Sequence, residues 1–318
     1  MRIVITIIAL LFPSLSSAAD TITLVTGPKT GTYYAFGQDI VAQVQNKKLK
    51  LVAKETDGSV DNIKRINGAG HTLGIVQSDV LGFLNHSQNA ASTQIVSHLR
   101  IVYPFYQEEV HVLAAKTIPD FKDLQGKKVA IGEEGSGHML TAVNLFAIEQ
   151  IVPSEIKKIS PEEGVAAVLR GDLDAVIFVG GKPVKIFKNL EALTKPQHQK
   201  FALLLQNVHF LPLNSPKFYE QYEPAEITPQ DYNFVRATVP TVAVQAALVS
   251  YEPAGKGKKS KAQIRRCEAL KEFAGALRSA LPALKEKGHP KWREVNFSSE
   301  TLGWEKDSCV WGKQLAAR

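Results

Sequence analysis

Three times along this chain a short β-branched run stops at a glycine-bearing loop and restarts with helical periodicity. The three junctions are "TITLVTGPKTGTYY" (Thr21 to Tyr34), "LVAKETDGSVDN" (Leu51 to Asn62) and "VAIGEEGSGHM" (Val129 to Met139). Strand followed by helix, repeated, builds parallel sheets with helices laid over them, so the chain is predicted to be α/β. The first helix carries Phe36, Ile40, Val41 and Val44 on one face. The second follows a cap at Ser59 with Val60, Ile63 and Ile66 at spacing three, and the third turns Leu140, Val143, Phe146 or Ala147, and Ile151 inward.

Two long extended stretches break this rhythm, "LRIVYPFYQEEVHVLAAKT" (Leu99 to Thr117) and "VPTVAVQAALVSY" (Val239 to Tyr251). Each is long enough to leave one lobe and enter another. With 318 residues, 44% of them hydrophobic, the chain can fill two cores. The expected division is a leader over 1–19, a first part of lobe 1 over 20–106, lobe 2 over 107–250, and completion of lobe 1 with C-terminal helices over 251–318. Within lobe 2, "FALLLQNVHFLPL" is expected to add a strand. Near the end, "CEALKEFAGALRSALPALKEK" is an amphipathic helix pattern interrupted at Pro282.

The leader reading rests on Arg2, the apolar run from Ile3 to Phe12, and small residues Ser17 and Ala19 before a cleavage point. It predicts an exported chain, in the periplasm. Loss of Arg2 lowers the formal charge of +7 by one, a weak basic excess. Much of that excess sits in "GKGKKSKAQIRR", read as a solvated loop. No aromatic residues interleave those charges, and nucleic acid is not an expected partner. Cys267 and Cys309 suit an oxidising compartment, where a disulfide between them is expected, with two buried free thiols as the alternative. No CxxC pair or HExxH sequence accompanies them, so no metal site is expected.

The glycine junctions carry the candidate chemistry. A helix start exposes unpaired N–H groups and a partial positive charge, and glycine lets a ligand come close to the backbone. Carboxylates and phosphates are held this way without arginine. Enzyme motifs fail on inspection: in "GEEGSGHM" His138 and Met139 stand where a phosphate-binding loop needs Lys and Ser/Thr, and Glu134 stands where a nucleophile elbow needs glycine. No cofactor and no catalytic residue is assigned.

Taken together, "TGPKTGTYYAFG", "ETDGSVDNIKRINGAGHTLGIVQSDV", "VYPFYQEEVHVLA", "LQGKKVAIGEEGSGHMLTA" and "GDLDAVIFVGGKPV" resemble the TAXI family of TRAP transporter substrate-binding proteins, well over Thr21 to Val184 and weakly to Tyr251. The resemblance implies a two-lobed periplasmic binding protein of type II, with a ligand cleft between the lobes. It would capture a small organic anion or an amino acid, glutamate- or dicarboxylate-like, and deliver it to TRAP membrane subunits, as a monomer. By the resemblance, Gly31, Thr32, Tyr33 and Tyr34 match the G-x-Y-Y loop, Ser59 and Asn62 the S-V-x-N helix start, Gln77 and Asp79 V-Q-x-D, Ser136 and Gly137 with adjoining His138 the G-S-G loop, and Gly180 with Pro183 the second glycine turn; all of these but Asp79 and Pro183 are the expected ligand contacts. Glu133 and Glu134 depart from the family's "GPPGSGT"-like loop and bring negative charge near the expected pocket. Competing readings are a sensory module for a membrane kinase and an exported hydrolase centred on Ser136 or a histidine.

Overall fold

The computed structural model describes residues 20–87, 89–194, 199–253, 259–300 and 303–312; the expected leader and residues 254–258 of the lysine loop lie outside the described residues. At the first junctions, β1 (Asp20–Val25) pairs in parallel with β2 (Leu49–Lys54) and β3 (Thr72–Gln77), covered by α1 (Thr32–Val44) and α2 (Ser59–Ile66). α1 buries Phe36, Ile40 and Val44 as its periodicity predicts. After α3 (Ser78–His86) and α4 (Ala90–Val96) comes β4 (Leu99–Ala115), the first of the long strands. The second lobe repeats the pattern with β5 (Lys128–Ala130), α5 (Gly137–Glu149), β6 (Glu155–Lys157), α6 (Pro161–Arg170) and β7 (Ala175–Gly180), its strands again parallel. The chain continues through α7 (Lys185–Leu190), α8 (Gln199–Gln206), β8 (Val208–Phe210) and β9 (Glu223–Ile227) to the second long strand, β10 (Val239–Tyr251). It ends with α9 (Lys261–Lys287) and α10 (Ser308–Trp311).

β4 and β10 lie antiparallel at the centre and join both lobes into one sheet of order β2-β1-β3-β10-β4-β7-β5-β6, with β8 on β4 and β9 on β10. Along β10, residues Ala246–Ser250 pair with β3 and Val239–Ala243 with β9. The hydrophobic cores change over at the same places. Tyr103, Phe105, Tyr106, Ala246 and Leu248 pack with α1 and α9, whereas Val110, Val112, Val242 and Val244 pack with α5. The lobes therefore meet at Gln107–Glu109 on β4 and at Gln245 on β10. A register shift between Gln245 and Ala247 marks the spot on β10. Such irregularities bend a strand and increase its local twist.

Several local expectations are corrected. Ser59 is the first helical residue and Gly58 is the N-cap of α2; its φ of +116° is a conformation glycine adopts without a Cβ penalty. Of the face expected for α5, Phe146 and Ile151 are buried, but Ala142 and Leu145 are buried with them and the expected Val143 is 51% exposed. The expected strand at "FALLLQNVHFLPL" is helical through Gln206, and only Val208–Phe210 pairs with β4. α9 runs unbroken through Pro282. Arg266, counted with the solvated charges, is buried in α9, where its Nη2 donates to Asp307 Oδ2 at 2.6 Å and that same oxygen accepts the Ser250 hydroxyl. Among the described residues no helix is long and apolar enough to cross a membrane.

Cys267 and Cys309 form a disulfide that ties α9 to α10. They are 42 residues apart, and closing a loop of that length restricts the denatured chain by about 4 kcal/mol in the chain-entropy account. Replacing both with serine is expected to lower the urea midpoint by an amount equivalent to about 2–4 kcal/mol, with the slope of the transition reporting any loosening of the unfolded state. An unchanged midpoint would show that the C-terminal segment contributes nothing to cooperative folding.

Candidate functional site

The carboxyl ends of β1, β3 and β7 and the amino ends of α1 and α5 converge between the lobes, where open α/β sheets hold ligands. Gly31, Thr32, Tyr33, Ser59, Gln77, Gly137, His138 and Gly180 all line one cavity there, joined by Glu108 and Phe178. The structure has the lobes closed on it, leaving a cavity of about 20 Å³. That is room for about one water, so a ligand enters only when the lobes part.

Closure is made by direct contacts across the cleft. Thr32 Oγ1 donates to Gly181 O at 2.9 Å, and the Thr30 hydroxyl donates to Glu162. The N–H groups of Val60 and Asp61 at the start of α2 both donate to Gly135 O at 3.1 Å. A helix amino end attracts any acceptor, and here the opposite lobe supplies a carbonyl. Of the three junctions, the second thus serves closure. The N–H groups of Thr32, Tyr33 and Tyr34 in α1 have no hydrogen-bond partner among the described residues, and no side chain caps that helix. These remain as donors for a ligand.

Three expected contacts sit elsewhere. Asn62 is buried behind the cavity, its Nδ2 bonded to Thr26 O at 2.6 Å and Ile75 O at 2.7 Å while Oδ1 accepts the Thr56 hydroxyl. It pins the ends of β1 and β3 rather than facing the cleft. Ser136 caps α5 by accepting from Met139 N–H, and its hydroxyl donates to Glu133 O at 2.7 Å. Tyr34 is half-buried beside the cavity and is not among its lining residues.

Inside, the polar groups form a chain. The Tyr33 hydroxyl donates to Glu108 Oε2 at 2.6 Å and lies 3.4 Å from Ser59 Oγ. Ser59 Oγ accepts from Gln77 N–H at 3.1 Å and donates to Gln77 Oε1 at 3.4 Å. Gln77 Nε2 is buried with no hydrogen-bond partner among the described residues. His138 receives Val179 N–H on Nδ1 at 3.2 Å and rests on the Phe178 ring; burial lowers its pKa to about 4, so it is neutral. Burial likewise raises Glu108 well above the ordinary carboxylate range, opposed by the Tyr33 hydrogen bond and reinforced by the charges of Asp79 and Glu109. Glu133 and Glu134 do not line the cavity, and Glu134 faces solvent beside Lys158.

Glu108 is the charged site residue that sequence reading missed. It and Glu109 stand side by side in a mostly apolar strand, where alternation turns one of them outward. Both are buried, because β4 passes between the lobes with each face covered. Adjacent carboxylates within a run of this apolarity were the available signal, since Glu is rarely fully buried unless paired. Glu109 is paired: its Oε1 meets Lys291 Nζ at 2.6 Å and its Oε2 accepts Lys182 N–H at 3.0 Å.

Next to the cavity, Asp79 at the start of α3 bonds across to the second lobe. Its Oδ2 accepts the Thr141 hydroxyl of α5 at 2.6 Å, and it shares the Tyr222 hydroxyl, which Asn144 Nδ2 also reaches at 2.7 Å. Burial raises its pKa from 3.8 to about 6, against the hydrogen bonds that lower it. A raised pKa favours the native state fully at pH below the unfolded value, and that contribution is lost as pH rises through about 6. Between pH 5 and 7 the loss is about 1 kcal/mol. Asp79→Asn removes the titration, so the stability of the wild type relative to this variant is expected to fall by that amount over the same range in urea unfolding. A difference that stays flat with pH would contradict the burial of this carboxyl.

The model of the NMT1-like family matches residues 24–255. Among solved structures, the chain is similar to MatC from Rhodopseudomonas palustris with bound malate, at 13% identity and TM-score 0.54, over 93% of this chain and 95% of that one. It is also similar to an ABC uptake transporter substrate-binding protein from Streptococcus pneumoniae with bound histidine, at 12% identity and TM-score 0.50, over 88% and 95% of the two chains. The fold is the two-lobed, mixed α/β fold of periplasmic binding proteins.

Proposed function

This chain belongs to the NMT1-like family, and from that premise we propose that it is a periplasmic solute-binding protein, which closes its lobes over a small organic anion or amino acid and performs no chemistry on it. One observation carries the reading: a cavity between the lobes is faced by the uncapped amino end of α1 and by the unpartnered Gln77 Nε2. Buried donors left empty are costly, and a ligand carboxylate satisfies them. The resemblance to TAXI proteins names TRAP membrane subunits as the recipients of the ligand, with the exported chain acting as a monomer. A hydrolase is poorly supported by the geometry, because Ser136 spends its hydroxyl on a helix cap and on Glu133 O, and His138 bonds instead to Val179 N–H.

The test is a thermal-shift screen of the exported chain against organic acids and amino acids. A ligand at about 100 times its dissociation constant adds roughly 2.7 kcal/mol, a shift of several degrees for a chain of this size. Loss of that shift in a Tyr33→Ala, Gln77→Ala double variant places the ligand in the cavity. A ligand whose shift survives the double variant binds elsewhere.

A further inference from the structure

We propose that Glu108 is the counter-ion for a protonated amino group, so that the cavity takes a small zwitterionic α-amino acid and rejects dicarboxylates. The inference rests on the solute-binding reading above and narrows its ligand class against the dicarboxylate-like expectation.

The lining of the cavity carries two chemically different kinds of unsatisfied group. One is donors without acceptors among the described residues: the N–H groups of Thr32 and Tyr33 and the Gln77 amide. The other is a carboxylate without a cation. Glu108 is 2% exposed, its Oε2 accepts the Tyr33 hydroxyl, and its Oε1 takes no hydrogen bond among the described residues. No Lys or Arg lines the cavity, and His138 is neutral. The cation felt by Glu108, Lys291, is already committed to Glu109 at 2.6 Å and to Glu294 at 2.7 Å. The other groups acting on Glu108 are Asp79 and Glu109, both acidic, and the Tyr33 hydroxyl.

A buried carboxyl in such surroundings is kept neutral or waits for a positive charge. An ammonium group supplies that charge and offers three donors, enough for Glu108 Oε1 and a neighbouring hydroxyl. The ligand carboxylate then reaches the amino end of α1 and Gln77. A second carboxylate finds no cation and lies close to Glu108, so malate or succinate meets repulsion where an amino acid meets attraction. Burial and the nearby charges of Asp79 and Glu109 push the Glu108 carboxyl above its ordinary range while the site is empty, and an ammonium group beside it favours the charged form.

The experiment compares matched ligands on the exported chain by isothermal titration at pH 7.5: glycine, alanine and serine against acetate, propionate, lactate, malate and succinate. At least one amino acid is expected to bind ten-fold or more tightly than its deaminated counterpart and than either dicarboxylate. Glu108→Gln is expected to weaken amino-acid binding ten-fold or more and to narrow the gap to lactate. The comparison on unaltered protein stands even where the variant fails to fold. Malate or succinate binding as well as the amino acids overturns the assignment of Glu108 while leaving the solute-binding reading intact. Amino-acid binding unchanged in a folded Glu108→Gln protein overturns it as well. If no compound of either kind binds, both readings fall.

Discussion

Replacing Gly137 with alanine is expected to weaken ligand binding about 100-fold, equivalent to about 2.7 kcal/mol, with little change in the stability of the unliganded protein. A Cβ at Gly137 would lie 1.4 Å from Gln77 Oε1, 2.6 Å from Gln77 Cδ and 2.9 Å from Ser59 Oγ. Gly137 belongs to α5 in the second lobe, and both neighbours belong to the first, so the clash exists only when the lobes are closed. In the open protein the methyl group meets solvent. On closure the Gln77 amide has to move, and the empty space beside it is the cavity between the lobes. The variant therefore opposes closure and crowds the ligand together. A ligand that binds the closed form loses affinity by the fraction of molecules able to reach it. Titration and small-angle scattering read the two effects separately, the second through a failure to contract on ligand addition. Gln77→Ala in the Gly137→Ala background removes the nearest clash, so the double variant should close again while lacking the amide's hydrogen bond. If Gly137→Ala binds like the wild type, Gly137 and Gln77 stand far enough apart in the ligand-bound cleft to admit a methyl group.

Lys291→Met should cost about 3–5 kcal/mol, the largest stability loss expected of a single substitution here. Lys291 is 2% exposed on the segment that follows α9, and its ammonium group reaches Glu109 where β4 passes between the lobes. Methionine matches its length without its charge and strands Glu109, 3% exposed, against a single backbone donor, Lys182 N–H. In a chain of this length such a loss lowers the melting temperature by about 10 °C. Its pH dependence has a definite sign. Burial already holds Glu109 above the usual carboxylate range despite the opposing pull of Lys291, and removing that pull raises it further. The defect is therefore largest at high pH and shrinks as acid protonates Glu109. Adding Glu109→Leu should recover much of the loss, because replacing both ions of a buried pair is often nearly neutral while breaking the pair is not. A Lys291→Met protein as stable as the wild type at every pH would mean that Glu109 is solvated and that this joint between lobes is loose.

How far the amino-acid order reaches can be seen in particular residues. β10 spans Val239–Tyr251, the same bounds as its apolar run, and α1 buries the face that its spacing marks. Local regularity is legible because it arises from period and composition, which neighbours in the chain carry themselves. α5 shows where this stops: its helix was evident and Phe146 and Ile151 face inward as expected, but packing selects Ala142 and Leu145 beside them where the spacing pointed to Leu140 and Val143. Arg266 and Pro282 mislead for a related reason. A buried partner at Asp307 and the packing of a 27-residue helix outweigh what a charged residue or a proline does alone.

The candidate site divides in the same way. Glycine-bearing strand-to-helix junctions announce themselves in the chain, since only certain residues permit that turn and leave helix donors free. From the order of residues alone came the α/β class, the long central strands, the cysteine pair, and most of the residues that line the cleft. Which donors stay free was settled by the approach of one lobe to the other, because Gly135 O takes the N–H groups of α2 from residues more than seventy positions away. The same approach turned Asn62 and Ser136 to structural duty and enclosed Glu108 on both faces of its strand. Charge burial is a property of everything that surrounds a side chain, and no local pattern encodes it.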